Sequence, residues 1–482
     1  MRGITLCGLG TALLSALPAI TAIQLVSRDA PHVVSLDIER RPVSNPVERD
    51  KLRKRQDKVV EQTLENERTL YFCNITLGTP EQRLRMHIDT GSSDLWCNAA
   101  NSTLCTQRND PCANGGTYDP NASSTYNFVN PNFNITYVDG SGALGDYVTD
   151  TLKLGEATLQ DFQFGVGYQS TSNEGVLGIG YPLNEVQVGR NKQPPYPNLP
   201  VALVNDGQIN SNAYSLWLND LDASTGSILF GGVNAAKFEG TLETLPIVPI
   251  ANDIYAELAV SLTSMSVQSN QGNQRLSRSL PTTVVLDSGS SLCYLPDLLV
   301  AELYRLVDAT YDPEMGAAYV PCSLGRQQAW VTFTFTRPSI RVGMDELVIN
   351  LGPNPDGSIP QFSNGEPACV FGIAPAGRGN AILGDTFLRS AYVVYDLANN
   401  QISLAKTNFN ATGEDRILEI GTGPNSVPEA TGVPDAAPTG GGGGGGGGTT
   451  ATSVGVAAPT LRPDLQGAVV GLAGMGVVFA AM

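Results

Sequence analysis

The sequence predicts a mainly β protein built from two similar lobes, and three observations carry that expectation. From Leu70 to about Phe409, short β-branched and aromatic runs alternate with Gly, Asn, Asp and Pro turns: FCNITLG, FNITYVDG, YSLWLND, SILFGGV, TTVVLDSG, VTFTFT, AYVVYDL and QISLA. Helical periodicity is scarce, and its best examples are DLLVAELYRLVDATY from Asp297 and LPVALVNDG from Leu199. The third observation is an internal repeat. An apolar strand running into D-[TS]-G-S-S occurs in RMHIDTGSSDLW, Arg85 to Trp96, and again in TTVVLDSGSSLCYLP around Asp287. Each copy is followed downstream by an apolar-apolar-Gly run, GVLGIGYP (Gly175 to Pro182) and NAILGDTF (Asn380 to Phe387). Duplication of this kind is expected to set the two repeated acids face to face at the seam between the lobes.

The flanks read differently from this body. Met1-Arg2, the apolar run from Ile4 to Ile20 and the small residues Ala19 to Ala22 predict a secretory signal peptide over 1–22. Residues 23–68 are charged and Pro-containing, with Arg40-Arg41 and KLRKRQ at Lys51 to Gln56, and predict a propeptide cleaved after Arg55; a solvated charge run is the alternative. The N-terminal lobe is expected over 69–245 and the C-terminal lobe over 246–410. A Thr/Pro/Gly-rich linker over 411–460 includes the glycine run Gly440 to Gly448, a composition that behaves as a flexible spacer. The last segment, 461–482, ends in GAVVGLAGMGVVFAAM, which is shorter than the roughly 20 residues of a stable membrane span. Behind a polar spacer it predicts a glycosylphosphatidylinositol (GPI) anchor signal, with Ser453 and Gly455 as attachment candidates; a retained tail-anchoring helix is the alternative.

The formal charge is −17, and because the first 55 residues are net basic the acidity lies in the body. Such a surface repels nucleic acid, favours cationic peptides and loses self-repulsion in acid. Of eight cysteines, Cys7 falls in the signal peptide and the others are expected in an oxidising compartment. None has CxxC metal-site spacing. Cys105 with Cys112 could close a short loop and Cys322 with Cys369 a longer one, while the pairing of Cys73, Cys97 and Cys293 is left open and the odd number requires at least one free thiol. Sequons at Asn74, Asn101, Asn121, Asn134 and Asn410 allow N-glycosylation.

The chain has only two histidines, His32 in the expected propeptide and His87 in the body. Two-His and three-His zinc sites are therefore excluded, no metal or cofactor is expected, and a Ser-His-Asp triad would depend on His87 alone. His87 lies two residues before Asp89 on the same strand face and reads as a packing residue. That leaves carboxylates for acid–base work. Two carboxyl groups held close together cannot both ionise cheaply, so they share a proton and offer a base and an acid at once. Asp89 and Asp287 are the candidates. Gly91 and Gly289 allow a tight turn and close backbone approach, and Thr90, Ser92, Ser288 and Ser290 are expected to hydrogen-bond the carboxylates and hold them coplanar.

On these residues the chain resembles the pepsin-type aspartic proteases over roughly Leu70 to Phe409. HIDTGSSDLW and VLDSGSSLCYLP match the two active-site signatures, and GVLGIG and AILGDTFLRSAYVVYD match the apolar-Gly segments that thread behind them. FNITYVDGSGALGDY matches the flap that closes over substrate, with Tyr137 at the flap-tyrosine position, Trp96 at its hydrogen-bond partner, and Asp139 and Gly140 toward the flap tip. The resemblance implies a bilobal pepsin-like fold with the active-site cleft between the lobes, a peptide or protein as substrate, and a monomer. Within the family the chain is most similar to fungal yapsin-like enzymes, which are GPI-anchored and cut at basic residues; SNAYSLWLNDLDASTGSILFGGV and the tail carry that likeness. An acid at Asp139, where pepsins have a small polar residue, would favour Lys or Arg beside the scissile bond. Cys73, Cys97 and Cys293 depart from the family pattern. Two other readings are a freely secreted acid protease of broad specificity and a catalytically silent cell-wall protein on the same fold; both acids, both glycines and the flap tyrosine are present, which weighs against the latter.

Overall fold

The computed structural model describes residues 31–43, 67–137, 141–223, 225–313, 315–350, 352 and 358–432. The expected signal peptide, basic cleavage site, glycine run, anchor signal, Ser453 and Gly455 lie outside these residues, as do Asp139 and Gly140. In the N-terminal half the strands are β1 (Val34–Val43), β2 (Glu67–Leu77), β3 (Gln82–Asp89), β4 (Leu95–Asn98), β5 (Asn127–Thr136), β6 (Gly142–Leu154), β7 (Ala157–Ser170), β8 (Gly175–Gly178), β9 (Ala213–Trp217), β10 (Thr225–Phe230), β11 (Gly232–Asn234) and β12 (Phe238–Pro246). Eleven of them join strands Ala391–Asp396 and Gln401–Thr407 in one thirteen-stranded sheet. Its middle alternates contributions from both ends of the chain, so that β9 pairs with Ala391–Asp396 on one side and β10 on the other. The fold is mainly β and bilobal, as the sequence predicts.

Strand β3 is buried along six consecutive residues, Leu84 to Asp89, because it is covered on both faces, and such strands read as apolar runs rather than alternations. It pairs in parallel with β8, setting Asp89 opposite Gly178. The C-terminal half repeats the arrangement: strand Thr282–Leu286 runs parallel to Ile382–Leu383, with Leu286 opposite Leu383. The sequence repeat is therefore a repeat of local architecture. Between the long strands β6 and β7, Gly155 has φ +53°, and a Cβ there would come within 2.8 Å of the Ser35 carbonyl on β1. Glycine satisfies both constraints.

Strand β1 lies inside the sheet between β2 and β10, with Leu36 and Ile38 buried, although its residues fall within the segment expected to be a propeptide. At the other end the packed chain runs past residue 410, where composition sets the start of the linker. Strand Ile417–Glu419 pairs with β11, and Ile420 and Val427 are buried against Tyr392 and Trp217, so 411–432 belong to the body. Enough apolar side chains survive in this Pro- and Gly-punctuated stretch to seat it on the sheet.

Both expected helices form. Asp297–Val307 buries Leu299, Val300, Leu303, Tyr304 and Val307, the spacing of a single helical face. It stops short of the full DLLVAELYRLVDATY run because Asp308 takes the left-handed conformation, φ 55°. Leu199–Asn205 is the second. Disulfides join Cys105 to Cys112 and Cys322 to Cys369. Cys73, Cys97 and Cys293 are all free and buried; burial pushes the Cys73 thiol up to about 12 and that of Cys293 to about 11, which leaves both unreactive. His87 is buried with its ring 5.6 Å from that of Phe72, in keeping with a packing role. Asn74, Asn101, Asn121 and Asn410 are exposed; Asn134 is half-buried and accepts a hydrogen bond from Arg190.

Candidate active site

Asp89 closes β3 and Asp287 follows Thr282–Leu286, and the two turns that begin with them meet between the lobes. The surroundings of the two carboxylates are nearly identical. Asp89 accepts from the Gly91 amide at 2.8 Å and from the Ser92 hydroxyl at 2.5 Å. Asp287 accepts from the Gly289 amide at 2.7 Å and from the Ser290 hydroxyl at 2.7 Å. Each carboxylate is thus held by one donor from the backbone and one from a side chain two and three residues on. Asp89 is 4% and Asp287 8% exposed.

The glycines fix how closely the halves approach. A Cβ on Gly91 would stand 2.6 Å from Asp287 Oδ1, and one on Gly289 would press on Asp89 Oδ1. Each glycine therefore abuts the opposite carboxylate, and only a hydrogen in place of Cβ leaves room.

Thr90 and Ser288 do something other than the expected holding of the carboxylates. The Ser288 amide donates to Thr90 Oγ1 at 2.9 Å and the Thr90 amide to Ser288 Oγ at 3.2 Å. The hydroxyls pass the pattern on, Thr90 Oγ1 donating to the Leu286 carbonyl at 2.9 Å and Ser288 Oγ to that of Ile88 at 3.0 Å. At the position after each Asp the side chain points away from the carboxylate and across to the other turn, so these two residues join the lobes while Ser92 and Ser290 hold the acids.

Behind the turns, the Ile179 amide donates to the Asp89 carbonyl at 3.0 Å and the Asp287 amide to that of Leu383 at 3.1 Å. These are the two apolar-Gly runs of the repeat. Above, Trp96 Nε1 donates to Tyr137 Oη at 2.7 Å, and the Tyr137 amide donates to the Ser141 carbonyl at 2.7 Å across the base of the β5–β6 hairpin. The structure thus brings together Asp89, Asp287, their turn residues, Trp96 and Tyr137. Three further residues were not singled out by sequence. Asn184 Nδ2 donates to the Gly91 carbonyl at 3.0 Å. Asp94 accepts from Tyr147 Oη at 2.8 Å, Tyr196 Oη at 3.1 Å and the Val186 amide at 2.8 Å. Glu185 accepts from the Tyr196 amide at 2.9 Å. Asp94 stands inside the signature itself, but nothing in its local pattern distinguishes it from a turn acid. Among the described residues no group of three or more His, Cys, Asp and Glu side chains could hold a metal ion.

Residues 70–407 match the family model for eukaryotic aspartyl proteases, and the chain belongs to that family. It is 55% identical to the "Probable aspartic-type endopeptidase opsB" of Aspergillus oryzae, over 96% of this chain and 97% of that protein. It is 58% identical to the protein of the same name in Aspergillus fumigatus, over 85% and 83% of the two chains. A more distant relative at 36% identity is the "Secreted aspartic protease 4" of Candida albicans, with 80% and 87% covered. The chain is an aspartic-type endopeptidase.

The glycine contacts generate a sharp expectation. Gly289→Ala should lower kcat about 100-fold, the cost of displacing a reacting group by roughly 1 Å, while near-ultraviolet circular dichroism stays native. Wild-type turnover in that variant would mean that the two turns are not in contact as described.

Proposed function

We propose that Asp89 and Asp287 are the catalytic pair and that they hydrolyse peptide bonds through an activated water. The observation that carries this is the fit of each glycine against the opposite carboxylate, which holds two acids so close that sharing one proton is cheaper than ionising both. The ionised member takes a proton from water as its oxygen attacks the amide carbonyl. The protonated member gives its proton to the carbonyl oxygen, forming a neutral tetrahedral gem-diol. As the C–N bond breaks, a proton passes to the nitrogen, so the products are a carboxylic acid and an amine, and the pair regains its single proton. No covalent intermediate forms. Thr90 and Ser288 hold the turns together, Ser92 and Ser290 orient the acids, and Tyr137, pinned by Trp96, covers the substrate as part of the flap. Asp89→Asn and Asp287→Asn should each lower kcat by at least about 1,000-fold with the fold intact, since either change removes one half of the proton exchange. Most of the activity surviving at saturating substrate would sink the assignment.

The substrate class we propose is a peptide with Lys or Arg beside the scissile bond. The likeness to yapsin-like enzymes and the acid at Asp139 in the flap support it. A cationic side chain entering a closed site loses water at a cost of several kcal/mol, which a neighbouring carboxylate offsets. Asp139→Thr should therefore reduce kcat/KM at least tenfold more for Lys and Arg peptides than for Leu peptides. The wild-type preference should also fade as pH drops through about 4, where an ordinary aspartate gains its proton. Equal losses on all three substrates would move the determinant elsewhere, and an unmutated enzyme that prefers Leu or Phe would favour the broad-specificity reading.

We also propose secretion, processing and GPI anchoring at the cell surface. The leader, the basic run at Lys51 to Arg55 and the terminal apolar tail support this. Phosphatidylinositol-specific phospholipase C should release active enzyme from cells, and N-terminal sequencing of the released form should find a start between Gln56 and Leu70. Enzyme found only in the medium without lipase would favour the freely secreted reading. A start at Ile23 would show that the segment carrying β1 is kept in the chain.

A further inference from the structure

Next to the catalytic turn lies a second pair of carboxyl groups that the hydrolytic steps do not use. Asp94 is 1% and Glu185 0% exposed. The residues that bond them, Tyr147, Val186 and Tyr196, belong to a buried cluster that also holds Trp96, Phe133 and Tyr137. The two acids differ in what holds them. Asp94 accepts three hydrogen bonds, from Tyr147 on β6, from Tyr196, and from the Val186 amide. Glu185 accepts one, from the Tyr196 amide on Oε2, and among the described residues no donor reaches its buried Oε1.

We propose that Asp94 and Glu185 form a positioning pair, Asp94 charged and Glu185 protonated, that locks the 182–189 segment to the Asp89 turn and the flap arm, and that this lock weakens as Glu185 loses its proton.

The connections follow the chain through three adjacent residues. Asn184 donates to the Gly91 carbonyl inside the catalytic turn, Glu185 anchors Tyr196, and the Val186 amide binds Asp94. Tyr147 extends the same network to β6, the return strand of the flap hairpin. Asp94 itself begins the step into β4, where Trp96 holds Tyr137. Both walls of the reacting site therefore meet at the pair. The ionisable groups facing it are Tyr147 and Tyr196, and Arg190 beyond helix Val186–Gly189, whose guanidinium acts on Tyr147 electrostatically and bonds the Asn134 side chain.

Burial raises the Asp94 carboxyl above the ordinary aspartate range, but its three donors, the Val186 amide and the Tyr147 and Tyr196 hydroxyls, oppose that rise and favour its charge. A charge on Glu185 would fall on an oxygen with no donor among the described residues and beside a second carboxylate. Burial, with the Asp94 charge adding to it, pushes the Glu185 carboxyl up to about 10. An unfolded chain would release that proton in the ordinary glutamate range, near 4.3. A proton held only by the folded state contributes stability that is fully present below about pH 4.3. That stability is lost steadily as pH rises toward about 10, and the unfolding constant grows about tenfold per pH unit over that range. An enzyme built this way is most secure in acid and weakens toward neutrality through a group that is not one of its catalytic acids.

The test is unfolding of the full-length enzyme by urea at pH 5, 6, 7 and 8, for wild type and Glu185→Gln, which keeps the shape and cannot ionise. The ratio of the wild-type unfolding constant to that of the variant should rise about tenfold for each pH unit. A ratio that stays constant across this range would overturn the proton assignment. Glu185→Met removes the same titration and should give the same rising ratio if the glutamine variant does not fold. Positioning is read separately with Asn184→Ala at acid pH, where kcat should fall at least fivefold with KM changed less than twofold. Unchanged kcat, or a loss confined to KM, would overturn the link between this network and the catalytic turn.

Discussion

The structure depends on the reciprocal hydrogen bonding of Thr90 and Ser288. Each turn supplies a hydroxyl that accepts from the other turn's amide and donates to a carbonyl of the strand leading into the other acid. Four buried bonds across the seam fix the distance and tilt of the two strand ends, and the carboxylates inherit that geometry. Unmade, each would leave a buried polar group unsatisfied at about 1–3 kcal/mol, so the arrangement has little freedom to drift. With the spacing fixed, glycine at 91 and 289 becomes obligatory, and so does a shared environment for the two acids.

The large sheet supports this join from behind. Strands from the beginning, middle and end of the chain alternate across its centre, so the two lobes are not separate bodies connected by a hinge sequence. Tyr214 and Tyr395, with ring centroids 5.0 Å apart, pack beneath the turns, and Tyr214 Oη donates to the Ile179 carbonyl at 3.0 Å. Their hydroxyls stay protonated: burial raises both well above the ordinary phenol range, and the negative charge of a nearby acid adds to it, Asp89 for Tyr214 and Asp287 for Tyr395. A few degrees of strand rotation here would separate the carboxylates, so rigidity of the sheet is part of the chemistry.

The acid pair at Asp94 and Glu185, beside the Asp89 turn, is held in a different way. Asp89 and Asp287 are held by symmetric donors, which keeps their surroundings alike. The second pair has three donors for one member and one for the other, which pushes the two apart in charge. One arrangement suits a proton that moves during a reaction, and the other suits a proton that stays.

The sequence alone determined the fold class, the repeated acid turns, the glycines and the two helices, while the Trp96–Tyr137 contact was legible only through the resemblance to the pepsin-type family. The first four depend on local pattern: strand alternation, turn residues, helical spacing and a duplicated motif whose two copies point to each other. Tertiary structure decided what local pattern cannot carry. Ser92 and Thr90 are neighbours of similar chemistry, yet one faces the acid and the other faces the opposite lobe, because side-chain direction in a turn is set by what packs against it. Asn184, Glu185 and Asp94 come together only when a segment some ninety residues downstream folds back over the first turn. Burial then gives these ordinary-looking residues their roles, since water no longer satisfies their polar atoms and each must find its partner in the protein.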